Sequence, residues 1–463
     1  MTAATAPRAG DPAFGLLYHE ALEAIAERGR FGVRLGLGRT RALLRELGNP
    51  QAGLRGALVA GTNGKGSVLA LAGAALRAAG YRVGETPKPH LVSYRERLVI
   101  DGRPIDPASF ARLIGEVVPF ADRLTARHGP ATEFELLTAA IFRWFAAESV
   151  DVALVEVGLG GRLDATHAWD GGVAAITNVD LDHTDQLGPT VEAIAREKAA
   201  IIERGDLAVT GAGGPALPVI RRRASRVAAP LRVVSAAPLI GWDRDAIEVA
   251  LPGLGRTRVS LRGRHQAANV AVADAVLDAL DEAGIAHVGA AARRTGYSTV
   301  RWPGRLELIE VEGREVLLDG AHNPAGAGAL AAALDDVRPF LAGGRDDDPP
   351  PLTLIVASMS DKDVDGVVAA LAASSHVRSA RVVCTAVDDP RALPAADLAA
   401  RWRAAGMLPA QLVTAEADPM AALDRALARA PGPVVVAGSL YLVGLARGHL
   451  VDDPDLRDPE PLG

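Results

Sequence analysis

Short apolar runs alternate with amphipathic segments along most of the chain. Some of the amphipathic segments have helical periodicity, such as residues 66–80 and 190–205. The near-continuous apolar runs occupy residues 54–60, 151–158, 172–180, 314–320, 352–359, 380–387 and 432–441. Apolar strands separated by helices are typical of a mainly parallel sheet that helices cover on both faces. The pattern therefore predicts an α/β fold.

The segment TGYSTVRWPGR, residues 295–305, interrupts this alternation and marks a predicted domain boundary. We divide the chain there into a domain of residues 1–298 and a smaller domain of residues 299–463. The Gly-, Asp- and Pro-rich residues 343–351 predict a mobile surface loop in the second domain. Residues 451–463 are expected to fray, as chain ends commonly do.

Composition and charge exclude several classes of protein. With 49% hydrophobic and 23% charged residues, the chain is typical of globular proteins rather than disordered or collagen-like ones. A net charge of −6 argues against a nucleic-acid partner. The single cysteine, Cys384, excludes internal disulfides and cysteine metal cages. Since neither a signal peptide nor a bilayer-length apolar run is visible, we expect a cytoplasmic protein without a membrane partner.

Lysine is rare, and its positions are informative. Only four of the 50 basic residues are lysine, namely Lys65, Lys88, Lys198 and Lys362. Lysine offers a compact charge and an amine that can lose its proton, which arginine does not. A GC-rich genome would explain the scarcity of lysine but not the places where it remains.

A glycine-rich turn, residues 61–67 (GTNGKGS), follows the first apolar run. It departs from the strict phosphate-loop pattern, because Val59 replaces a glycine and Gly66 separates Lys65 from Ser67. Glycines still let backbone N–H groups approach phosphate oxygens at a helix N-terminus. We predict that Lys65 contacts nucleotide phosphates and that Ser67 offers its hydroxyl to Mg²⁺. The alternative is a strand-to-helix turn that binds no ligand.

Acidic residues and a histidine follow two other predicted strands. Glu156 ends one strand, and Asp180, Asp182 and His183 follow another. Ligands of open parallel sheets bind beyond the carboxyl ends of the strands. Each residue taken alone favours a structural role, but beside a phosphate loop Glu156 and His183 predict a Mg²⁺ site. Histidine is an unusual Mg²⁺ ligand.

Lys198 falls on an apolar helix face. On the predicted helix 190–204, Ile194, Ile201 and Ile202 share this face with it. A buried lysine tends to lose its proton, and a neutral amine reacts with CO₂ to give a carbamate. From physical chemistry alone, a snorkelling or ion-paired lysine is the favoured alternative.

Three motifs of the second half are expected to face the phosphate loop. They are Trp302-Pro303-Gly304-Arg305, Asp319-Gly320-Ala321-His322-Asn323-Pro324 and Asp361-Lys362-Asp363. Arg305 is suited to stabilise charge on a transferred phosphoryl group. For Lys362 and Asp363, a surface ion pair is an equal alternative.

Together these motifs resemble the bacterial folylpolyglutamate synthase/dihydrofolate synthase family, a branch of the Mur ligase superfamily. The resemblance covers about residues 35–445 and rests on the segments LGLGRTRALLRELGNPQ, VAGTNGKGS, PHLVSYRERLVIDGRPI, EVGLGGRLDAT, DHTDQLG, EKAAI, GRHQAAN, WPGRLE, LDGAHNP and GSLYLVG. It implies that residues 1–298 form a Mur-ligase-type central ATP-binding domain with a P-loop and a mainly parallel sheet. Residues 299–463 would form a smaller Rossmann-like ligase domain.

The resemblance also implies an activity. An ATP-dependent amide ligase would add L-glutamate to dihydropteroate and to folates by way of an acyl phosphate. The implied cofactors are ATP and Mg²⁺, with N6-carboxylysine at Lys198, and relatives are usually monomers.

The site residues implied by the resemblance fall into four groups. ATP contacts are implied at Thr62, Asn63, Gly64, Lys65, Gly66, Ser67, Asn269, Arg305 and Asp319. Metal ligands are implied at Ser67, Glu156 and His183, and catalytic residues at Lys65, Lys198 and His322. Pteroate contacts are implied at Phe134, Glu135, Leu163, Asp164 and Ala165.

The chain departs from the family pattern in three places. Lys88 replaces a serine that is a Mg²⁺ ligand in relatives, so either a metal is lost or Lys88 itself neutralises phosphate charge; we favour the second. Arg34 and Gly38 lie where many relatives have acids, which puts pterin contacts from this loop in doubt. His167 replaces an asparagine.

Four functions compete at this point. The first is a bifunctional ligase that acts on both dihydropteroate and folates, and the second is a ligase with one of these activities. A peptidoglycan-precursor Mur ligase would have a UDP-binding domain before the phosphate loop. We disfavour this function, because only about 60 residues precede Gly61. The fourth is a nucleotide-binding module that has lost catalysis through Lys88. Glutamate chain length and linkage are not readable from the sequence.

Overall fold

The computed structural model describes residues 12–29, 32, 34–344 and 349–459. Its largest sheet contains eight strands: β1 (Gly56–Ala60), β2 (Val83–Thr86), β3 (Val99–Ile100), β4 (Arg103–Pro104), β5 (Val152–Glu156), β6 (Gly172–Ile176), β7 (Leu207–Thr210) and β8 (Leu231–Val233). Their order is β4-β3-β2-β5-β1-β6-β7-β8. Only the pairs β2–β3 and β3–β4 are antiparallel. The sheet is therefore mainly parallel.

Strand β1 lies inside the sheet, between β5 and β6. Val59 pairs with Glu156 of β5, and Ala60 pairs with Ile176 of β6. Because all three strands run in the same direction, the segments that follow them meet at one edge of the sheet. This edge brings the glycine-rich turn and the acidic residues of the two neighbouring strands together.

Helices cover both faces of this sheet. The helices of the first part of the chain are α1 (Pro12–Gly29), α2 (Gly38–Glu46), α3 (Lys65–Ala78), α4 (Pro107–His128), α5 (Glu133–Ala147), α6 (Thr184–Leu187), α7 (Val191–Ala199), α8 (Ala216–Val227), α9 (Gln266–Glu282) and α10 (Ala290–Thr299). Ala57 and Val59 of β1 pack in the core formed with α3 and α9. Leu58 and Ala60 point the other way, into the core formed with α4 and α5. Successive strand residues thus serve opposite cores, which explains the continuous apolar run.

A small antiparallel sheet follows the eighth strand. It contains β9 (Leu239–Trp242), β10 (Ile247–Leu251) and β11 (Gly255–Val259), in the order β11-β10-β9. Buried and partly exposed residues alternate along β10, as expected for a sheet with one covered face. We did not predict this sheet, because β9 has only four residues and charged residues interrupt the apolar pattern of β10 and β11.

A six-stranded sheet forms the core of the second half. Its strands are β12 (Glu307–Val311), β13 (Arg314–Leu318), β14 (Thr353–Val356), β15 (Arg381–Cys384), β16 (Val413–Ala415) and β17 (Val434–Ala437), in the order β12-β13-β17-β14-β15-β16. All neighbours are parallel except β12 and β13. The accompanying helices are α11 (Pro324–Val337), α12 (Val364–Leu371), α13 (Ser375–Arg378), α14 (Ala395–Ala404), α15 (Pro419–Arg429) and α16 (Leu440–Leu450).

The predicted α/β fold class is confirmed, and each of the seven apolar runs contains a strand. The predicted helix 190–205 is too long, because α7 ends at Ala199 and a turn follows. The predicted boundary segment is irregular only in part, since α10 extends to Thr299. The division between residues 298 and 299 stays a prediction. The proposed mobile loop at 343–351 includes residues 345–348, which lie outside the described part of the chain.

The C-terminal segment packs against the first half of the chain. Arg95 is buried, and its Nε lies 3.0 Å from Asp458 Oδ1. The same guanidinium donates to the carbonyl oxygens of Asp455 and Arg457 at 2.8 and 3.0 Å. The prediction of a frayed terminus is therefore wrong for these residues, because a buried cation binds them.

Candidate active site

The glycine-rich turn 61–67 joins β1 to α3. Gly64 adopts φ +79°, which favours glycine, and α3 begins at Lys65. A Cβ on Gly64 would lie 2.2 Å from Asn269 Oδ1, so the turn and α9 meet closely. The backbone N–H of Asn63 donates to Asn178 Oδ1 at 2.8 Å. The turn is therefore held from both sides in the geometry of an anion-binding helix start.

Lys65 folds back over this turn. Its Nζ donates to the carbonyl oxygens of Gly61 and Thr62 at 3.1 and 3.2 Å. It also lies 3.8 Å from Glu156 Oε1, the carboxylate at the end of β5. Burial raises the pKa of Glu156, and the ammonium of Lys65 opposes that rise. The two residues that were predicted from separate motifs are thus neighbours.

Lys88 lies on the other side of Glu156. Its backbone N–H donates to Glu156 Oε2 at 3.0 Å, and its Nζ donates to the Glu156 carbonyl oxygen at 2.6 Å. The ammonium lies 4.8 Å from the centroid of the Phe134 ring. Burial lowers the pKa of Lys88 to about 8. Lys88 therefore contacts both Glu156, the carboxylate beside Lys65, and Phe134, which is predicted to contact the pteroate.

Lys198 is buried, as its position on an apolar face predicted. The side chain is 5% exposed, and Nζ donates to the Gly61 carbonyl oxygen at 2.9 Å. Burial, together with the nearby charge of Lys65, lowers the pKa of Lys198 to about 7. Near neutral pH a large share of these amines is neutral, which is the form that reacts with CO₂.

Asp182 is the centre of a polar network between the two halves of the chain. Lys362 Nζ lies 2.8 Å from Asp182 Oδ1, and Asn323 Nδ2 donates to Asp182 Oδ2 at 2.9 Å. Asn323 also donates to Asn63 Oδ1 at 3.1 Å. Burial alone would raise the pKa of Asp182, but Lys362, His183 and Asn323 hold it below its usual range. We did not predict Asn323 as a site residue, and an equal alternative for Lys362 was a surface ion pair.

Two histidines, His183 and His322, lie beside Asp182. His183 adopts φ +50°, and its Nε2 lies 3.4 Å from Lys362 Nζ. Burial lowers its pKa, and Asp182 only partly opposes this. Nδ1 of His322 donates a hydrogen bond to the Gly320 carbonyl oxygen at 2.8 Å. Burial lowers the pKa of His322 to about 4. Burial thus disfavours the cationic form of both imidazoles.

Residues on the nucleotide side come from three elements. Asp319 accepts hydrogen bonds from the backbone N–H groups of Leu306 and Ala321, both at 2.9 Å. Arg305 Nη1 donates to the Gly304 carbonyl at 3.4 Å. A Cβ on Gly66 would lie 2.6 Å from the Trp302 ring, so this ring covers the first turn of α3. Asp319 and Arg305 thus lie at the junction that meets the phosphate loop.

The residues predicted to contact the pteroate are close together, but the carboxylates of two of them already have partners within the protein. Glu135 Oε2 accepts from the backbone N–H of Thr132, and its carboxylate lies 3.0 Å from Arg39 Nε. Asp164 accepts from Leu159 and Thr166 backbone N–H groups at 2.8 and 3.0 Å. Glu135 thus caps the start of α5, and Asp164 caps the short 3₁₀ helix Ala165–Ala168. Their contact with an acceptor stays a prediction.

Phe134 and the Leu163–Ala165 segment surround the end of β5. A Cβ on Gly158 would lie 2.7 Å from the Phe134 ring and 3.2 Å from Asp164 Oδ2. Gly36 N donates to the Leu163 carbonyl at 3.2 Å, so the loop that contains Arg34 borders this region. Ala165 is buried. The region thus offers an aromatic face directly beside Glu156.

The residues predicted for Mg²⁺ suit that ion by chemistry. Glu156 and Ser67 offer oxygen atoms, and His183 offers an imidazole nitrogen. Within the described residues, no group of three or more His, Cys, Asp or Glu side chains is arranged to hold a metal. Mg²⁺ commonly takes only one or two carboxylates and completes its shell with phosphates and water. The donor set is compatible with Mg²⁺ bound together with a nucleotide.

Two segments of the chain match known families. Residues 59–277 match the Mur ligase middle domain, and residues 304–440 match the Mur ligase, glutamate ligase domain. The dihydrofolate synthase/folylpolyglutamate synthase of Bacillus subtilis is 36% identical over 392 residues, which are 82% of this chain and 88% of the relative.

Solved structures agree with these matches. Mycobacterium tuberculosis folylpolyglutamate synthase complexed with ADP has a TM-score of 0.83 and 32% identity, over 95% of this chain and 99% of that chain. E. coli FolC in complex with DHPP and ADP has a TM-score of 0.76 and 28% identity, over 93% and 97% of the two chains.

The two sheets and the phosphate loop between them, with these matches, define an ATP-dependent ligase of the Mur ligase type. The polar network around Asp182 joins the two halves at the loop. The chain belongs to the folylpolyglutamate synthase/dihydrofolate synthase family. No helix in the described ranges is long and apolar enough to cross a membrane.

Proposed function

We propose that this ligase is bifunctional and adds L-glutamate both to dihydropteroate and to folates. The observation that carries the proposal is the position of Phe134, which faces Lys88 and lies against Gly158, two residues beyond the end of β5. An aromatic acceptor that packs on Phe134 would direct its carboxylate toward the phosphate loop. The solved complex of E. coli FolC with DHPP and ADP supports an acceptor and a nucleotide bound together in this fold.

We assign the nucleotide to the junction of the two halves. Thr62, Lys65, Arg305 and the backbone N–H groups of the turn bind the phosphates, while Asn269 and Asp319 bind the rest of the nucleotide. Mg²⁺ would be held by Ser67, Glu156 and His183. When bound, it supplies positive charge that neutralises the phosphate oxygens.

The chemistry has two steps. An oxygen of the acceptor carboxylate bonds to the γ-phosphorus, and the bond from that phosphorus to the β–γ bridging oxygen breaks, so its electron pair leaves with ADP. The neutral amine of glutamate then bonds to the acyl carbon and loses one proton to the departing phosphate, which leaves with the electron pair of the C–O bond. Lys65 and Arg305 stabilise the charge of the transferred group.

The contacts from Asn323 and Lys362 to Asp182 close the two halves over this reaction. They exclude water, which would otherwise hydrolyse the acyl phosphate. His322 is held by the Gly320 carbonyl, and its low pKa makes it a hydrogen-bond acceptor rather than a store for a proton. We assign it to orienting the incoming amine. Since both halves come from one chain, we propose a monomer as the active form.

Lys198 is the proposed site of N6-carboxylysine. The neutral amine bonds to the carbon of CO₂ and releases a proton, which changes a buried cation into an anion. The location beside Gly61 supports the assignment, because an anion there would balance the positive charge of Lys65.

The remaining candidates are a ligase with one acceptor and a module without catalysis. Competition between acceptors tests the bifunctional proposal. Dihydropteroate should inhibit glutamate addition to a reduced folate competitively, and Phe134→Ala should raise the KM of both acceptors. If one acceptor is not turned over and does not compete, the ligase is monofunctional. If neither is turned over while ADP binds, the module without catalysis is correct.

A further inference from the structure

Lys88 occupies the position between the nucleotide and acceptor sides of the site. Its two hydrogen bonds to Glu156 fix it at the end of β5, and Glu156 Oε1 lies 3.8 Å from Lys65 Nζ. On the opposite side its ammonium lies 4.8 Å from the Phe134 ring centroid. Lys88 and Lys65 thus both contact Glu156, and the ammonium of Lys88 also contacts the face of the Phe134 ring.

The charges of Asp164 and Glu156 favour the ammonium of Lys88, but neither carboxylate forms a close ion pair with it. Within the described part of the chain, no carboxylate oxygen lies within 4.0 Å of its Nζ. Glu156 uses Oε2 to accept the backbone N–H of Lys88, and both oxygens of Asp164 accept from other groups. A partly buried charge is costly unless an opposite charge or several hydrogen bonds compensate it. The ammonium of Lys88 is therefore able to pair with an anionic ligand.

We propose that Lys88 is a catalytic residue whose ammonium binds the acceptor carboxylate and stabilises the charge where this carboxylate meets the γ-phosphate. This assignment rests on the proposed function, because an acyl-phosphate ligase must bring these two anions together. Lys88 exchanges no proton during the step. Its fixed charge lowers the repulsion between the carboxylate oxygen and the phosphoryl oxygens as the new O–P bond forms.

The hydrogen bonds of Lys88 give the charge a fixed position. Because the Glu156 carbonyl and the Phe134 face hold the ammonium in place, little reorganisation is needed when the anion arrives. Serine at this position would offer an oxygen atom and no charge. We therefore expect this chain to bind its acceptor carboxylate without a metal ion at that place.

The test compares Lys88→Met, which removes the charge, with Lys88→Arg, which keeps it. ADP affinity and acceptor affinity in the presence of ADP are measured by calorimetry without Mg²⁺, and kcat and KM are measured with Mg²⁺. Lys88→Met should lower kcat on the order of 100-fold, the loss typical of one charge-stabilising group. Acceptor affinity should fall as well, while ADP affinity stays unchanged. Lys88→Arg should keep most of both quantities.

Three results would overturn the assignment. In the first, Lys88→Met matches the wild type in kcat and acceptor affinity. In the second, it loses ADP affinity but keeps acceptor affinity, which would mean that Lys88 only positions Glu156. In the third, Lys88→Arg is as impaired as Lys88→Met in acceptor affinity although both bind ADP normally. A wild-type enzyme that turns over neither acceptor would instead overturn the proposed function on which the assignment rests.

Discussion

The ammonium of Lys362, in the second half of the chain, lies 2.8 Å from Oδ1 of Asp182, in the first half. Both side chains are largely buried, with 12% and 10% exposure. This ion pair joins the two halves beside the phosphate loop, where closure must exclude water. It explains why one of only four lysines is kept at this position.

Replacing Lys362 should impair catalysis more than nucleotide binding. Lys362→Met leaves Asp182 without its cation, and we expect kcat to fall on the order of 100-fold, because the two halves no longer align. Steady-state kinetics and ADP titration measure the two effects. Arg401→Met is the matched control, since its ion pair with Asp365 is exposed. Equal losses in both variants would contradict the account.

The state of Lys198 should depend on CO₂ and pH. A neutral amine is needed for carbamate formation, and the pKa of Lys198 is lowered to about 7. We expect added bicarbonate to raise activity more at pH 8 than at pH 6, and Lys198→Ala to remove this response. Native mass spectrometry should detect one added CO₂ on the wild type. An unmodified, fully active wild-type enzyme would contradict the assignment.

Lys198 should also affect stability in CO₂-free buffer. Its pKa is about 7 in the folded protein and about 10.5 when unfolded, so between these values the unfolded chain binds more protons. Folding stability should therefore rise with pH across this window, by at most about 1.4 kcal/mol per pH unit. Subtracting the curve of Lys198→Met isolates this contribution. A flat or falling difference curve would show that the folded-state pKa is not lowered.

Gly66 should not tolerate a side chain. The Cβ of Gly66→Ala would meet the Trp302 ring at 2.6 Å, and overpacking of this kind costs about 1–3 kcal/mol. We expect weaker ADP binding and a lower free energy of unfolding. Adding Trp302→Phe removes the clashing part of the ring and should restore part of both. Gly115→Ala is the control, since its Cβ meets no atom within 4 Å and should stabilise helix α4.

The C-terminal segment should stabilise the protein through Arg95. Arg95→Met removes the buried guanidinium that binds Asp455, Arg457 and Asp458. We expect a loss of about 3 kcal/mol in the free energy of unfolding, measured by denaturant titration. Arg457→Met should cause no measurable loss, because its pair with Asp452 is exposed. If Arg95→Met lowered the free energy of unfolding as little as Arg457→Met, the C-terminal segment would contribute little to stability.

The sequence predicted most of the parts of the site but not how they are joined. Buried parallel strands have a continuous apolar pattern, so β1, β5 and β6 and the residues after them were predictable. The burial of Lys198 was predictable because its neighbours share an apolar face, although α7 ends before Ile201. The predicted carbamate, metal and acceptor contacts remain predictions.

Long-range polar contacts were not predictable from local pattern. Asn323 caps α11, which alone explains an asparagine there, yet it also contacts Asn63 and Asp182. The side chains of Glu135 and Asp164 were expected at the acceptor, and the structure shows them holding helix ends. The three-stranded sheet was missed because its strands are short and charged residues interrupt β10 and β11. The contacts of Asn323 were missed because Asn63 and Asp182 are distant from it in sequence.

The central claim is that this chain couples ATP cleavage to glutamate addition on two acceptors. Its most direct test measures ADP and glutamylated product in the same sample, with ATP, Mg²⁺ and L-glutamate, once with dihydropteroate and once with a reduced folate. The account predicts one ADP for each glutamate added, with both acceptors. ADP formed without a glutamylated product, or product with only one acceptor, would contradict it.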